Sequence, residues 1–129
     1  RSALGRYGRH LGRLWHIAED VAPLELEDAG GHLFARALAG RPVLPVALAA
    51  EVARPIGDAW DALVRSPTIE AADEVADFVR VYGGVPRSRE VMLRESWAAR
   101  RTLRTLPESR YRNSLDTLAA GLARVGMNR

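Results

Sequence analysis

Apolar residues recur at spacings of three and four along almost the whole chain, and the every-second-residue alternation of strands is nearly absent. Leu4, Tyr7, Leu11, Leu14, Trp15, Ala18 and Val21 trace one helical stripe, which Ser2 is placed to cap and Pro23 to close. Asp28 is placed to cap a second helix through Leu33, Phe34, Ala37 and Leu38, with Gly40 as its stop and Pro42 beyond. Pro45 starts a third helix, through Leu48, Ala49 and Val52, which Pro55 interrupts; a further piece carries Trp60, Leu63 and Val64. Thr68 opens the next helix, with Ile69, Ala72, Val75, Ala76 and Val79, and Gly83-Gly84 ends it. Ser88 then opens a long arginine-rich helix to Leu106, and Pro107-Glu-Ser starts a last one through Leu115, Leu118, Ala119, Leu122 and Val125. The expectation is an all-α domain of six or seven packed helices. The turn clusters between them are short, and no repeat or low-complexity linker marks a domain boundary within residues 1–129.

Composition narrows the choice of function more by what it removes. The chain has 129 residues, enough for one core, and no cysteine, so disulfides and cysteine nucleophiles are excluded. No G-x-S-x-G, H-E-x-x-H or glycine-rich phosphate loop is present. No apolar run approaches a membrane span and no signal-peptide pattern opens the chain, so a cytoplasmic protein without membrane insertion is expected. All nineteen basic residues are arginine. Charge is segregated: residues 1–18 are net +4, residues 19–77 net −8 and residues 78–129 net +7. Such a pattern favours an acidic middle facing basic flanks or a protein partner. Arg87 to Arg112 holds eight arginines and three acids; Arg94, Arg101 and Arg104 share a stripe, but Arg89 and Arg100 lie off it, so nucleic acid is not the expected partner.

The segment Tyr7-Gly-Arg-His-Leu-Gly-Arg-Leu-Trp-His-Ile-Ala-Glu-Asp-Val-Ala-Pro23, followed by Gly40-Arg-Pro-Val-Leu-Pro45, resembles the second metal-binding half of the polyprenyl synthetase (trans-isoprenyl diphosphate synthase) family. That family reads roughly Y/F-G-x-x-L-G-x-x-F-Q-I-x-D-D-x-x-D and then G-K-x-T-L-P. Val81-Tyr-Gly-Gly-Val-Pro-Arg-Ser and Leu103-Arg-Thr-Leu-Pro-Glu-Ser-Arg-Tyr-Arg-Asn-Ser-Leu115 are similar to later segments of it. The resemblance implies the C-terminal half of the isoprenoid synthase fold. It also implies a reaction in which metal ions draw diphosphate from an allylic substrate, and isopentenyl diphosphate attacks the resulting cation. The aspartate-rich positions fall here on Glu19, Asp20 and Pro23, so two carboxylates remain as ligands for Mg²⁺, a hard ion usually held by one or two carboxylates plus phosphate oxygens. Arg41 stands at the diphosphate-facing lysine, and Trp15 and His16 stand where the family borders its prenyl cavity.

Each candidate also has an ordinary reading. Glu19 and Asp20 fit a weakened magnesium–diphosphate wall, or a solvated acidic helix end paired with arginine. His16 lies on their face, three and four residues back, without a fourth metal ligand from elsewhere. Arg41 fits a phosphate clamp or a C-terminal helix cap. Trp15 and Trp60 fit core aromatics, and His10 and His32 have no acid at a diagnostic spacing. Since residues 1–129 hold no D-D-x-x-D, the expectation is a piece of a longer chain or a subunit, inactive alone and partnered by the missing half or by another protein. The first alternative to a weakened catalytic wall is a catalytically silent interaction subunit.

Overall fold

The computed structural model describes residues 2–25 and 28–125, and the described residues are helical without a strand. The helices are α1 (Ala3–Leu24), α2 (Ala29–Leu38), α3 (Leu44–Val52), α4 (Arg54–Arg65), α5 (Ile69–Val81), α6 (Gly84–Thr102) and α7 (Arg110–Leu122), with a single 3-10 turn at Leu103–Thr105 between the last two. This is the all-α architecture of six or seven helices that the periodicity predicts. By packing, the chain forms two compact units: Asp20–Ser88, and Arg1–Glu19 with Arg89–Arg129. The division falls inside α1 and inside α6.

Several helix ends follow the local chemistry of the sequence. The Ser2 Oγ accepts from the Gly5 N–H at 3.0 Å, Thr68 Oγ1 from Ala71 at 3.0 Å, and Ser109 Oγ from Arg112 at 3.1 Å, satisfying first-turn donors of α1, α5 and α7. Asp28 takes the N-cap position of α2 without a side-chain cap bond. The C-terminus of α2 closes as a Schellman turn. Gly40 adopts φ +65°, Arg41 N–H reaches the Arg36 carbonyl at 3.0 Å, and Gly40 N–H reaches Ala37 at 3.0 Å. Only a residue without a Cβ takes that φ at no steric cost.

Three boundaries differ from expectation. Pro23 does not end α1 at once: the helix runs to Leu24, because proline's missing N–H and its ring act on the turn behind it and leave room for one more residue. Ser88 does not open α6. The helix starts at Gly84, Ser88 is fully buried within it, and its hydroxyl donates to the Gly84 carbonyl at 2.7 Å. A serine can cap a helix or bond back to the carbonyl four residues earlier, and the sequence does not say which. The long arginine-rich helix also stops at Thr102 and tightens into the 3-10 turn.

Unit Asp20–Ser88 packs α2 closely on α5 and α4 between α3 and α5. Its core joins Leu33, Val43, Val46, Ile56, Leu63, Val75 and Val79, all buried, with Trp60 half-buried against them. Each large aliphatic side chain so enclosed contributes roughly 1.5–3 kcal/mol. Gly84 is the glycine of this unit nearest another helix's backbone: its missing side chain admits the Pro45 carbonyl oxygen of α3 and the Val79 side chain of α5.

The second unit is built around Tyr7, Ala99, Leu103 and Ala119, with Leu11, Leu106 and Leu115 against them. Tyr7 is 4% exposed, and its hydroxyl donates to the Leu115 carbonyl at 2.7 Å. Burial, and secondarily the Asp116 carboxylate, push its phenol above the ordinary 10.0. Ser96, also buried, donates to the Ala119 carbonyl at 2.9 Å, tying α6 to α7. No helix among the described residues is long and apolar enough to cross a membrane.

Candidate functional site

The acidic end of α1 carries the sequence-predicted ligands Glu19 and Asp20, consecutive residues that fall one in each unit. Within Asp20–Ser88, α2 presents His32 and Arg36 four residues apart, hence on one helix face. Both meet Asp20. Its Oδ1 lies 3.2 Å from Arg36 Nη2 and 3.5 Å from His32 Nε2, with the three side chains 14%, 23% and 15% exposed. The His32 Nε2 is buried and has no hydrogen-bond partner among the described residues. Asp20 therefore sits in a mostly enclosed ion pair, in a setting where the Coulomb attraction is screened far less than at an open surface.

Glu19 lies in the other unit and is exposed. Its Oε1 accepts from the Trp15 indole N–H one turn earlier, at 2.7 Å. Trp15 is 54% exposed and is not the core aromatic that its stripe position predicts. At a period of 3.6 a seven-member stripe covers more of a helix than one neighbour buries, and Trp15 lies on its edge beside buried Leu14. His16 is also exposed. His10, which has no acid at a diagnostic spacing, finds one at long range: its Nδ1 lies 2.6 Å from Glu95 Oε2, and Arg13 Nη1 lies 3.6 Å from Glu95 Oε1. The two partners are separated by 85 positions in the chain. No spacing rule reaches that far, nor does one join Asp20 to His32 and Arg36.

Arg41 follows the Schellman glycine and is exposed, with no ion pair among the described residues. It lines a cavity of about 460 Å³ together with Gly40, Pro42, Trp60, Asp61 and Arg65. Asp20 is not in that lining.

As arranged, one oxygen of each of the two carboxylates left at the aspartate-rich positions is already engaged within the protein. Mg²⁺ demands free oxygen ligands near octahedral geometry. The Asp20 Oδ1 already faces a guanidinium and an imidazole, the Glu19 Oε1 takes an indole N–H, and Pro23 offers no side-chain donor. Among the described residues no group of three or more His, Asp or Glu side chains is placed to hold a metal. No protein-family model matches this chain, and neither a curated protein nor a solved structure matches it.

Proposed function

We propose that residues 1–129 form a polyprenyl-synthase-like helical domain of isoprenoid biosynthesis that acts as a catalytically silent partner, stabilising or tuning an active synthase half or subunit. The observation that carries this reading is the closed state of Asp20. A carboxylate inherited for metal pairs with Arg36 and faces His32 instead, so Asp20 is held by the protein's own guanidinium. The order and spacing of the Tyr7–Pro23, Gly40–Pro45 and Leu103–Leu115 segments support the family, and the replacement of its third aspartate by Pro23 supports the silent role.

A second reading keeps a catalytic part for the chain as one wall of a magnesium–diphosphate site completed by an allylic diphosphate and the partner's acids. Arg41 favours it, since its exposed and unpaired guanidinium stands beside a cavity and is suited to bidentate phosphate contact. Reconstitution separates the two. The chain is mixed with a competent synthase partner, magnesium, an allylic diphosphate and isopentenyl diphosphate, and product is followed for wild type, Asp20→Asn and Arg41→Gln. The silent-partner reading predicts that the wild-type chain changes the partner's rate or stability and that both variants do so equally. Product formation that collapses with Asp20→Asn, in a variant that still folds and still binds the partner, would reject it in favour of the catalytic wall.

A further inference from the structure

Arginines from the end of α6 and from the 3-10 turn after it, though exposed, gather in one place. Arg100, Arg101 and Arg104 meet Arg112 and Asn113 of α7 around a cavity of about 260 Å³, floored in part by Trp97. Asp116 is the one acid in that lining, and it is already spent on Arg100 through Nε–Oδ1 at 2.8 Å and Nη2–Oδ2 at 3.3 Å. That hydrogen-bonded contact, with the same carboxylate's charge, raises the Arg100 pKa above its ordinary value. Three guanidinium groups in the lining are left without a counter-charge among the described residues. Arg101 lies over the Trp97 ring, 4.9 Å from its centroid; Arg112 Nη1 donates to the Leu106 carbonyl at 3.0 Å; the Arg104 guanidinium has no hydrogen bond, ion pair or ring contact among the described residues.

Like charges do not converge on one concavity without cost, since each pair repels and neither salt nor solvent screens a recess fully. The geometry also prepares them for a ligand. Arg101 is stacked and Arg112 is tied to a carbonyl, so both have given up part of the side-chain freedom that binding would otherwise cost. Arg112 and Asn113 belong to the first turn of α7, so the positive end of that 13-residue helix adds to the field. The volume is below the roughly 300–1,000 Å³ of cavities that enclose drug-sized ligands, and suits a small anion.

We propose that this cavity binds a small, multiply charged phosphate-type anion of the diphosphate class, gripped by Arg101, Arg104 and Arg112. The proposal does not rest on any role for Glu19, Asp20 or Arg41. The probe is inorganic pyrophosphate, titrated into the full chain by calorimetry without divalent metal. The expected result is saturable binding to one site per chain. Arg104→Gln should weaken it about tenfold or more, as loss of one charge-assisted hydrogen bond implies, and Arg101→Gln similarly. Arg94→Gln, an exposed arginine of the same helix outside the cavity, should leave it within about twofold. Arg112 also holds Leu106, so its loss bears on the fold; Arg104 holds nothing among the described residues and keeps the test clean. Absence of saturable binding, an equal loss with Arg94→Gln, or binding of a generic DNA duplex in place of pyrophosphate would overturn the proposal.

Discussion

Substituting alanine for Gly84 probes a close helix-to-backbone contact in the Asp20–Ser88 unit. A Cβ built there overlaps the Pro45 carbonyl oxygen, and lies 2.7 Å from Val79 Cγ1 and 3.1 Å from the Pro45 carbonyl carbon. The Pro45 atoms are backbone in the first turn of α3, so relief requires α3 or the start of α6 to move. Overpacking of this kind costs about 1–3 kcal/mol. The helix-propensity gain from glycine to alanine, about 0.5–1 kcal/mol in a helix interior, offsets only part of it, because Gly84 is the first residue of α6. A net loss of about 1–2 kcal/mol is expected, or roughly 4 °C in Tm per kcal/mol for a domain of this size. Gly57→Ala is the matched control in the same unit: its Cβ would meet only Ala50 Cβ, at an ordinary 3.7 Å. It should be neutral or stabilising by up to about 1 kcal/mol. Urea unfolding of both variants, followed by circular dichroism, decides the matter. Gly84→Ala as stable as wild type, or destabilised no more than Gly57→Ala, would refute the close-approach argument.

Three further outcomes follow from named contacts. Asp20→Asn should destabilise by about 1–3 kcal/mol, less than a fully buried pair because its partners keep some exposure, by leaving Arg36 without its counter-charge; a double-mutant cycle with Arg36→Met should return a coupling near 1 kcal/mol, and zero coupling would contradict the pairing. Tyr7→Phe should cost about 1 kcal/mol near neutral pH through the lost bond to Leu115. The folded phenol's pKa is raised, so its contribution is complete below pH 10 and is lost as pH climbs through the folded value; wild-type stability should therefore fall above pH 10 more steeply than that of Tyr7→Phe. Ser96→Ala should lower stability by about 1 kcal/mol through the lost bond to Ala119 between α6 and α7, read as a shift in urea midpoint at unchanged m-value.

Helix existence is legible because most of the helices carry a 3.6-residue stripe and end signals of their own. The Thr68 cap, the Gly40 stop, the Pro45 start and the break at Pro55 all rest on interactions within a few residues, which the sequence contains whole. Ser88 was misread because its hydroxyl has two local uses, and burial inside the unit selects between them. Trp15 was misread because a stripe gives the apolar side of a helix without saying how much of that side a neighbour covers. At the candidate site the positions of Glu19, Asp20 and Arg41 were readable from the resemblance. Their partners were not. His32 and Arg36 reach Asp20 through the packing of a separate helix, and Glu95 reaches His10 across most of the chain. The arginine cavity was visible only as a charge bias, since its walls come from two helices and the turn between them.

We propose that Asp20, paired with Arg36, and its exposed neighbour Glu19 load no metal at the acidic end of α1. Electron paramagnetic resonance of added Mn²⁺, as a stand-in for Mg²⁺, tests it directly when run with pyrophosphate on wild type, Glu19→Gln and Asp20→Asn. The account predicts that any bound Mn²⁺ is the same in all three proteins. Tightly bound Mn²⁺ in wild type that disappears in folded Asp20→Asn or Glu19→Gln would contradict it.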